Sequence, residues 1–126
     1  MEHTLNYEQN TFRSDIKNAS RHFIRQFMLR ENIIKAGILI NGAEYEKAIE
    51  TLVEVLEVDP NNTEVLNDLT TAYILIGNSI KAMNTLYRVL ELNPNDEVAN
   101  ENLSYLKRRN DNASRTSKKQ FKSLLK

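Results

Sequence analysis

One phrase occurs twice in this sequence, 34 residues apart. Residues 42–62 read GAEYEKAIETLVEVLEVDPNN and residues 77–96 read GNSIKAMNTLYRVLELNPND. The matched positions are Ala48 with Ala82, Leu52 with Leu86, Val55 with Val89, Leu56 with Leu90 and Pro60 with Pro94. An internal period of this length is typical of stacked supersecondary units, each of which buries its apolar face only against a neighbour.

Each copy of the phrase has the spacing of a helix and ends at a proline. Apolar residues between positions 44 and 58 recur at intervals of three and four, which places them on one helix face. Proline stops a helix, and Asn62 and Asp96 then stand where a side chain can accept the first free amides. Gly77 suits the turn between paired helices. We predict no sheet and at least five helices, at about 11–41, 44–58, 63–76, 79–92 and 97–109.

With this period the chain resembles the tetratricopeptide repeat family. The signature positions that carry the resemblance are Tyr45, Ala48, Pro60, Tyr73, Gly77, Ala82 and Pro94. The resemblance implies an all-α fold, a solenoid of helical hairpins (an α-α superhelix) with an extra N-terminal helix. The predicted segments are an N-terminal amphipathic helix at 1–28, a repeat domain at 29–109 (repeats 29–62 and 63–96, half-repeat cap 97–109) and a basic tail at 110–126.

The first half of the first repeat fits this pattern poorly. Asn32 and Lys35 stand where large apolar residues are expected, and Gly42 falls one place early. A shift of one residue would bring Ile34, Ile38 and Gly42 to the expected positions. We therefore expect an irregular helix-turn there, with the shifted register as one alternative.

An apolar stripe precedes the repeats. Its members, spaced by three or four residues on one helix face, are Phe12, Ile16, Ala19, Phe23 and Phe27. A basic ridge runs down the other side of this helix, formed by Arg13, Lys17, Arg21 and Arg25. The favoured interpretation is a helix docked on the first repeat. A homodimer contact and a membrane-surface helix remain as alternatives.

Charge is distributed unevenly along the chain. Residues 31–106 hold four Lys/Arg against thirteen Asp/Glu, whereas residues 107–126 hold eight against one. The polar segment Asn110 to Ser114 predicts turns after the cap helix. The tail is expected to be a disordered or frayed solubilising end. Folding back on the acidic body, and nucleic-acid or membrane attachment, are the lesser alternatives.

Few residues in this chain suit catalysis or metal binding. There is no cysteine, and the two histidines, His3 and His22, lie far apart in sequence. The three glycines are not clustered as a phosphate-binding loop requires. We therefore predict a non-enzyme without metal or cofactor. The absence of an apolar run of signal-peptide or membrane-span length favours a cytoplasmic location.

The resemblance also implies a concave groove lined by the first helix of each repeat. The predicted peptide-binding residues are Asn67, Asp68, Thr71, Ile74, Asn102 and Tyr105, with Ile33, Ile34, Gly37, Glu64, Val98 and Glu101 at the other lining positions. The basic clamp by which some relatives hold acidic peptides is missing, because Ile33, Gly37, Val98 and Asn102 occupy its places. Acidic groove residues favour a basic or neutral segment.

These features predict a protein-interaction adaptor that binds a peptide or helix of a partner protein. Two alternatives from other classes remain open. One is a regulatory or assembly appendage of an enzyme such as a bacterial glycosyltransferase, which the ending DEVANENLSYLK resembles. The other is attachment to nucleic acid or membrane through the basic tail.

Overall fold

Five helices make up most of the chain in the computed structural model, which describes residues 2–125. Side chains are described for residues 10–116, 118–120 and 122–125, so His3 lies outside them. The helices are α1 (Glu2–Asn41), α2 (Tyr45–Val58), α3 (Thr63–Leu75), α4 (Ser79–Leu92) and α5 (Glu97–Leu124). No strand occurs between residues 2 and 125, in agreement with the predicted all-α fold.

Short turns reverse the chain between successive helices. Residues 42–44 and 76–78 close the α1–α2 and α3–α4 hairpins, and residues 59–62 and 93–96 connect each hairpin to the next helix. The odd-numbered helices therefore run in one direction, with α1 against α3 and α3 against α5, while α2 and α4 pack behind them. This two-layer stack is the predicted helical-hairpin solenoid.

The buried residues of the core recur with the same 34-residue period as the sequence. Ala48 and Ala82, one period apart, are completely buried. The largest fully buried side chains follow the 34-residue period or fill α3 between its neighbours: Leu52, Leu86, Val55, Val89, Val65, Leu66 and Thr70. The Thr70 hydroxyl is satisfied by the Leu66 carbonyl oxygen at 2.8 Å, as burial of a polar group requires.

Asparagine and aspartate begin the later helices, as predicted. The Asn62 Oδ1 accepts a hydrogen bond from the Val65 amide at 3.1 Å, and the Asp96 Oδ1 accepts from the Ala99 amide at 2.9 Å. Each bond satisfies one of the amides that a helix leaves free at its N-terminus. The two connections between hairpins are thereby fixed by local chemistry.

The first hairpin keeps an unshifted register, so the alternative of a one-residue shift is wrong. Helix α1 runs unbroken to Asn41, and the left-handed turn residue is Ala43 (φ 60°) rather than Gly42. Ile34 and Ile38, which the shift would have buried, are exposed. The buried stripe of α1 within the repeat lies elsewhere, at Ile33 and Ala36 with Leu29 and Ile40 half-buried.

Two helices extend well beyond the repeats. Every side chain from residue 10 to residue 28 is exposed, so this part of α1 (the α1 overhang) does not dock on the first repeat, and the favoured interpretation of the stripe is wrong. Helix α5 continues through Asn110–Ser114, where turns were predicted, and its described side chains after Leu106 are exposed (the α5 overhang, residues 107–125). The tail is thus helical and does not fold back on the acidic body.

Candidate protein-binding groove

The odd-numbered helices form one open face of the molecule. Because α1, α3 and α5 are parallel and adjacent, residues one period apart come next to each other on this face. Arg30 on α1 and Glu64 on α3 show this directly, since their side chains form an ion pair with a nitrogen–oxygen distance of 2.8 Å. The sequence did not lead us to predict this pair, although its separation of 34 residues, one full period, was a usable signal.

Asn67 connects α3 to the start of α5. Its Nδ2 donates to the Asp96 Oδ1 at 3.1 Å, and the same carboxylate oxygen caps α5. The Asn67 Oδ1 is buried without a hydrogen-bond partner in the structure. Asn67 therefore combines a structural contact with an unused acceptor, and only the second of these properties is available to a ligand.

Asn102 has an unpaired hydrogen-bond donor, whereas Asn67 has an unpaired acceptor. It lies on α5, 35 residues beyond Asn67, and it is half-buried. Its Nδ2 is buried and has no hydrogen-bond partner in the structure. An unpaired acceptor on α3 and an unpaired donor on α5 are the two groups that a peptide backbone satisfies with its own amide and carbonyl.

The remaining predicted groove residues are half-buried or exposed, except for Ile33, which is buried in the core, so its predicted place in the groove is wrong. Thr71 and Ile74 are half-buried, and the Thr71 hydroxyl donates back to the Asn67 carbonyl oxygen at 3.1 Å. Tyr105 and Val98 on α5 and Ile34 on α1 remain exposed. The face therefore offers a polar centre on α3 with apolar side chains on both flanking helices.

Asp68 is the residue of this face whose pKa is shifted. Its side chain is half-buried on α3. Burial raises the pKa of the Asp68 carboxyl above its ordinary value, the charge of Glu64 raises it further, and the charge of Arg30 partly lowers it. No hydrogen bond to this carboxylate is found among the described residues. Partial burial disfavours the charged form of this carboxyl, and a cation supplied from outside would stabilise it.

An apolar cavity of about 430 Å³ lies away from this face, where the α1 overhang leaves α2. Its lining includes Ile24, Met28 and Leu29 of α1 and Val55 and Val58 of α2. The sequence did not predict this cavity, although Ile24 and Met28 extend the apolar surface of α1 beyond the five-residue stripe. It belongs to the overhang and not to the groove.

Metal sites and membrane spans do not occur in the part of the chain that the structure describes. No group of three or more His, Asp or Glu side chains there is arranged to hold a metal ion. None of the helices in those residues combines the length and the apolar character that crossing a membrane demands.

Comparison with known proteins supports the assignment of the repeats. Residues 41–101 match the family model described as Tetratricopeptide repeat, and no curated protein matches the chain. The match covers α2, α3, α4 and the start of α5, which include both copies of the repeated phrase. Repeats of this family generally serve as protein-interaction modules. The match supports assigning residues 41–101 of this chain to the tetratricopeptide repeat family.

Proposed function

We propose that this protein is an interaction adaptor whose α1–α3–α5 face binds a segment of a partner protein, with a lysine or arginine of that segment placed against Asp68. The half-buried Asp68 carboxylate, whose pKa is raised by burial and by Glu64, is the observation that carries the proposal. Glu64 lies one helical turn before it and adds a second negative charge. The face therefore disfavours an acidic segment and favours a basic one.

The backbone of the bound segment would use the two asparagines. The unpaired Oδ1 of Asn67 and the unpaired Nδ2 of Asn102 are buried in the free protein. Presenting these atoms to a ligand requires rotation of each amide, which for Asn67 breaks its bond to Asp96. Leaving such groups unpaired costs about 1–3 kcal/mol each, and a bound peptide would recover part of that cost.

Apolar side chains would complete the contact on either side. Ile34 on α1 and Val98 and Tyr105 on α5 are exposed at groove positions. The segment that fits best has a cationic residue flanked by apolar ones, because the polar centre of the face is on α3 and its flanks are apolar. Binding within an enzyme assembly, attachment through the basic α5 overhang and a cytoplasmic location stay predictions.

A selection experiment tests this proposal with random peptides in place of a natural partner. The full chain is immobilised and used to select from a phage library of random short peptides. We expect selected peptides to contain Lys or Arg flanked by apolar residues. Their affinity should fall about tenfold on Asp68→Asn, which corresponds to about 1.4 kcal/mol.

The control is Glu50→Gln, which removes a carboxylate from the exposed face of α2 and should leave the affinity unchanged. Selection of acidic peptides, or equal binding to wild type and Asp68→Asn, would refute the proposed groove chemistry.

A further inference from the structure

The α1 overhang exposes a row of large apolar side chains. Phe12, Ile16, Phe23 and Phe27 are 67%, 50%, 70% and 55% exposed, and Ala19 lies on the same helix face. We call these five residues the α1 stripe. Large contiguous apolar patches on a protein surface mark interaction sites, and no described part of the chain covers this one.

The two ends of the solenoid differ in the apolar surface that they expose. Terminal units of repeat proteins normally present a polar outer face, which keeps the array soluble. The α5 overhang follows this rule from residue 107 to residue 120, where Ala113 is the single apolar residue, and among its described side chains it exposes large apolar ones only near its end, at Leu124 and Leu125. The α1 overhang does not follow this rule, which indicates that a further protein surface packs against this end of the array.

The order of residues in the α1 stripe is symmetric. Phe12 and Phe27 lie equally far from the midpoint between Ala19 and Ser20, and so do Ile16 and Phe23. A two-fold contact requires a self-complementary surface. Two antiparallel copies of this helix, related about that midpoint, would place each large apolar side chain opposite another.

We propose that the α1 stripe is the interface of a homodimer in which two overhangs pack antiparallel about the midpoint between Ala19 and Ser20. The proposal concerns α1 alone and does not depend on the groove. It goes beyond the predicted homodimer contact by assigning the orientation and the register of the two helices.

The net charge of the repeats distinguishes the antiparallel arrangement from the parallel one. Parallel helices in register would bring two acidic repeat domains side by side, each with thirteen Asp/Glu against four Lys/Arg in residues 31–106. Antiparallel helices place these domains at opposite ends of the paired overhangs. The basic ridge stays in solvent in both arrangements, because at about 100° per residue its members lie on the side of α1 away from the stripe.

The available area fits a weak dimer. A fully buried aromatic side chain contributes about 200 Å². Phe12, Ile16, Phe23 and Phe27 are each at least half exposed, so the stripe offers roughly 450 Å² per copy, about half of the approximately 800 Å² that each partner contributes to a standard interface. Interfaces of this size are typical of transient complexes.

Sedimentation equilibrium of the full chain tests the proposal. We expect wild type to be a dimer at tens of micromolar, and Ile16→Glu and Phe23→Glu to be monomers with dissociation constants raised at least a hundredfold. Ile80→Glu is the matched control, because Ile80 is 77% exposed on α4 and lies outside the stripe. Circular dichroism should show unchanged helix content in all three variants, since every substituted side chain is exposed.

Cysteine cross-linking tests the orientation, because the chain has no cysteine of its own. Under mild oxidation Ala19→Cys should cross-link with itself. Phe12→Cys and Phe27→Cys should each stay uncross-linked alone and should form a disulfide with each other when mixed. This pattern is specific to the antiparallel register.

Three results would overturn the proposal. The first is a monomeric wild type at these concentrations, including a monomer that binds lipid vesicles or a foreign helix through the stripe. The second is a dimer that survives Phe23→Glu. The third is cross-linking of Phe12→Cys with itself, which would indicate parallel helices. Because Asp68 lies outside the α1 stripe, each of these results leaves the proposed groove function standing.

Discussion

The two hairpins of this solenoid have nearly the same backbone but different sequences at their turns. The Glu44 amide donates to the Leu39 carbonyl oxygen at 2.8 Å, and the Asn78 amide donates to the Tyr73 carbonyl oxygen at 2.9 Å, one period later. The neighbouring turn bonds also correspond pair by pair at the same spacing. The hairpin geometry is therefore repeated more faithfully than the residues that form it.

Local chemistry supports the second turn better than the first. The left-handed position is occupied by Gly77 (φ 80°) in the second hairpin and by Ala43 (φ 60°) in the first, where a side chain adds strain. The Asn78 side chain caps α4 by accepting from the Lys81 amide at 3.1 Å, whereas Glu44 makes no such bond to α2. Packing between helices must hold the first turn in a conformation that its own residues disfavour.

The largest effect should come from the core positions that the two hairpins share. Leu52→Ala and Leu86→Ala each remove a fully buried side chain, so each should lower the free energy of unfolding by about 2–5 kcal/mol. Urea denaturation measures both. A loss below about 1 kcal/mol at either site would show that the two hairpins are not packed alike.

Glycine and alanine exchanges at the turns should have opposite signs. Ala43→Gly should stabilise the protein and Gly77→Ala should destabilise it, each by about 1 kcal/mol, because only the φ preference changes. Open space surrounds the Cβ position at Gly77, so steric overlap does not contribute. Thermal unfolding of both variants gives the comparison.

Gly37 provides the matched control for these exchanges. It lies inside α1 with no positive φ, and no side chain or neighbouring element comes within 4 Å of the position that a Cβ atom would occupy. Gly37→Ala should stabilise by about 1 kcal/mol, as expected for a helix interior. If Gly77→Ala also stabilised the protein, the assignment of the left-handed turn would be wrong.

The caps should produce a similar or slightly smaller contrast. Asn78→Ala should cost about 1 kcal/mol, and Glu44→Asn should gain a fraction of that, since asparagine is a favoured N-cap residue. Both changes can be measured by urea denaturation. If Glu44→Asn did not raise the free energy of unfolding, the backbone at the start of α2 would be unable to accept a side-chain cap.

The smallest stability effect concerns pH. Because the pKa of Asp68 is raised in the folded protein by burial and by Glu64, the folded state holds this proton more tightly than the unfolded chain. The corresponding stability is present below the unfolded pKa and is lost as pH rises through the folded pKa. Asp68→Asn should therefore stabilise at neutral pH and have little effect in acid, as thermal unfolding across pH would show. A variant less stable than wild type at neutral pH would contradict the assigned cause.

The repeat itself could be predicted from the sequence with good accuracy. Helices α2, α3 and α4 begin and end within one residue of the predicted positions, because prolines, cap residues and Gly77 mark their ends. The same signals are missing elsewhere. No proline precedes Pro60, and neither glycine nor proline follows Pro94. No proline therefore marks where α1 begins, and neither residue marks where α5 ends. The polar residues of the tail reduce helix stability only slightly.

The register of the first repeat and the chemistry of the groove were harder to predict. Gly42 suggested a left-handed turn one residue early, and only tertiary packing reveals that Ala43 adopts it. The repeat pattern does predict Asn67 and Asp68 on the groove face. The bond from Asn67 to Asp96 depends on how α3 packs against α5. The raised pKa of Asp68 depends on its burial and on the charges of Glu64 and Arg30. Local sequence patterns do not determine either.

The groove chemistry of the second repeat is the central functional claim, and a charge exchange tests it most directly. Isothermal titration would compare wild type and Asp68→Lys with a selected cationic peptide and with the same peptide carrying glutamate in place of its cation. We predict that Asp68→Lys weakens the cationic peptide at least tenfold, about 1.4 kcal/mol, and recovers binding with the acidic one. Equal affinities of both proteins for both peptides would contradict the claim.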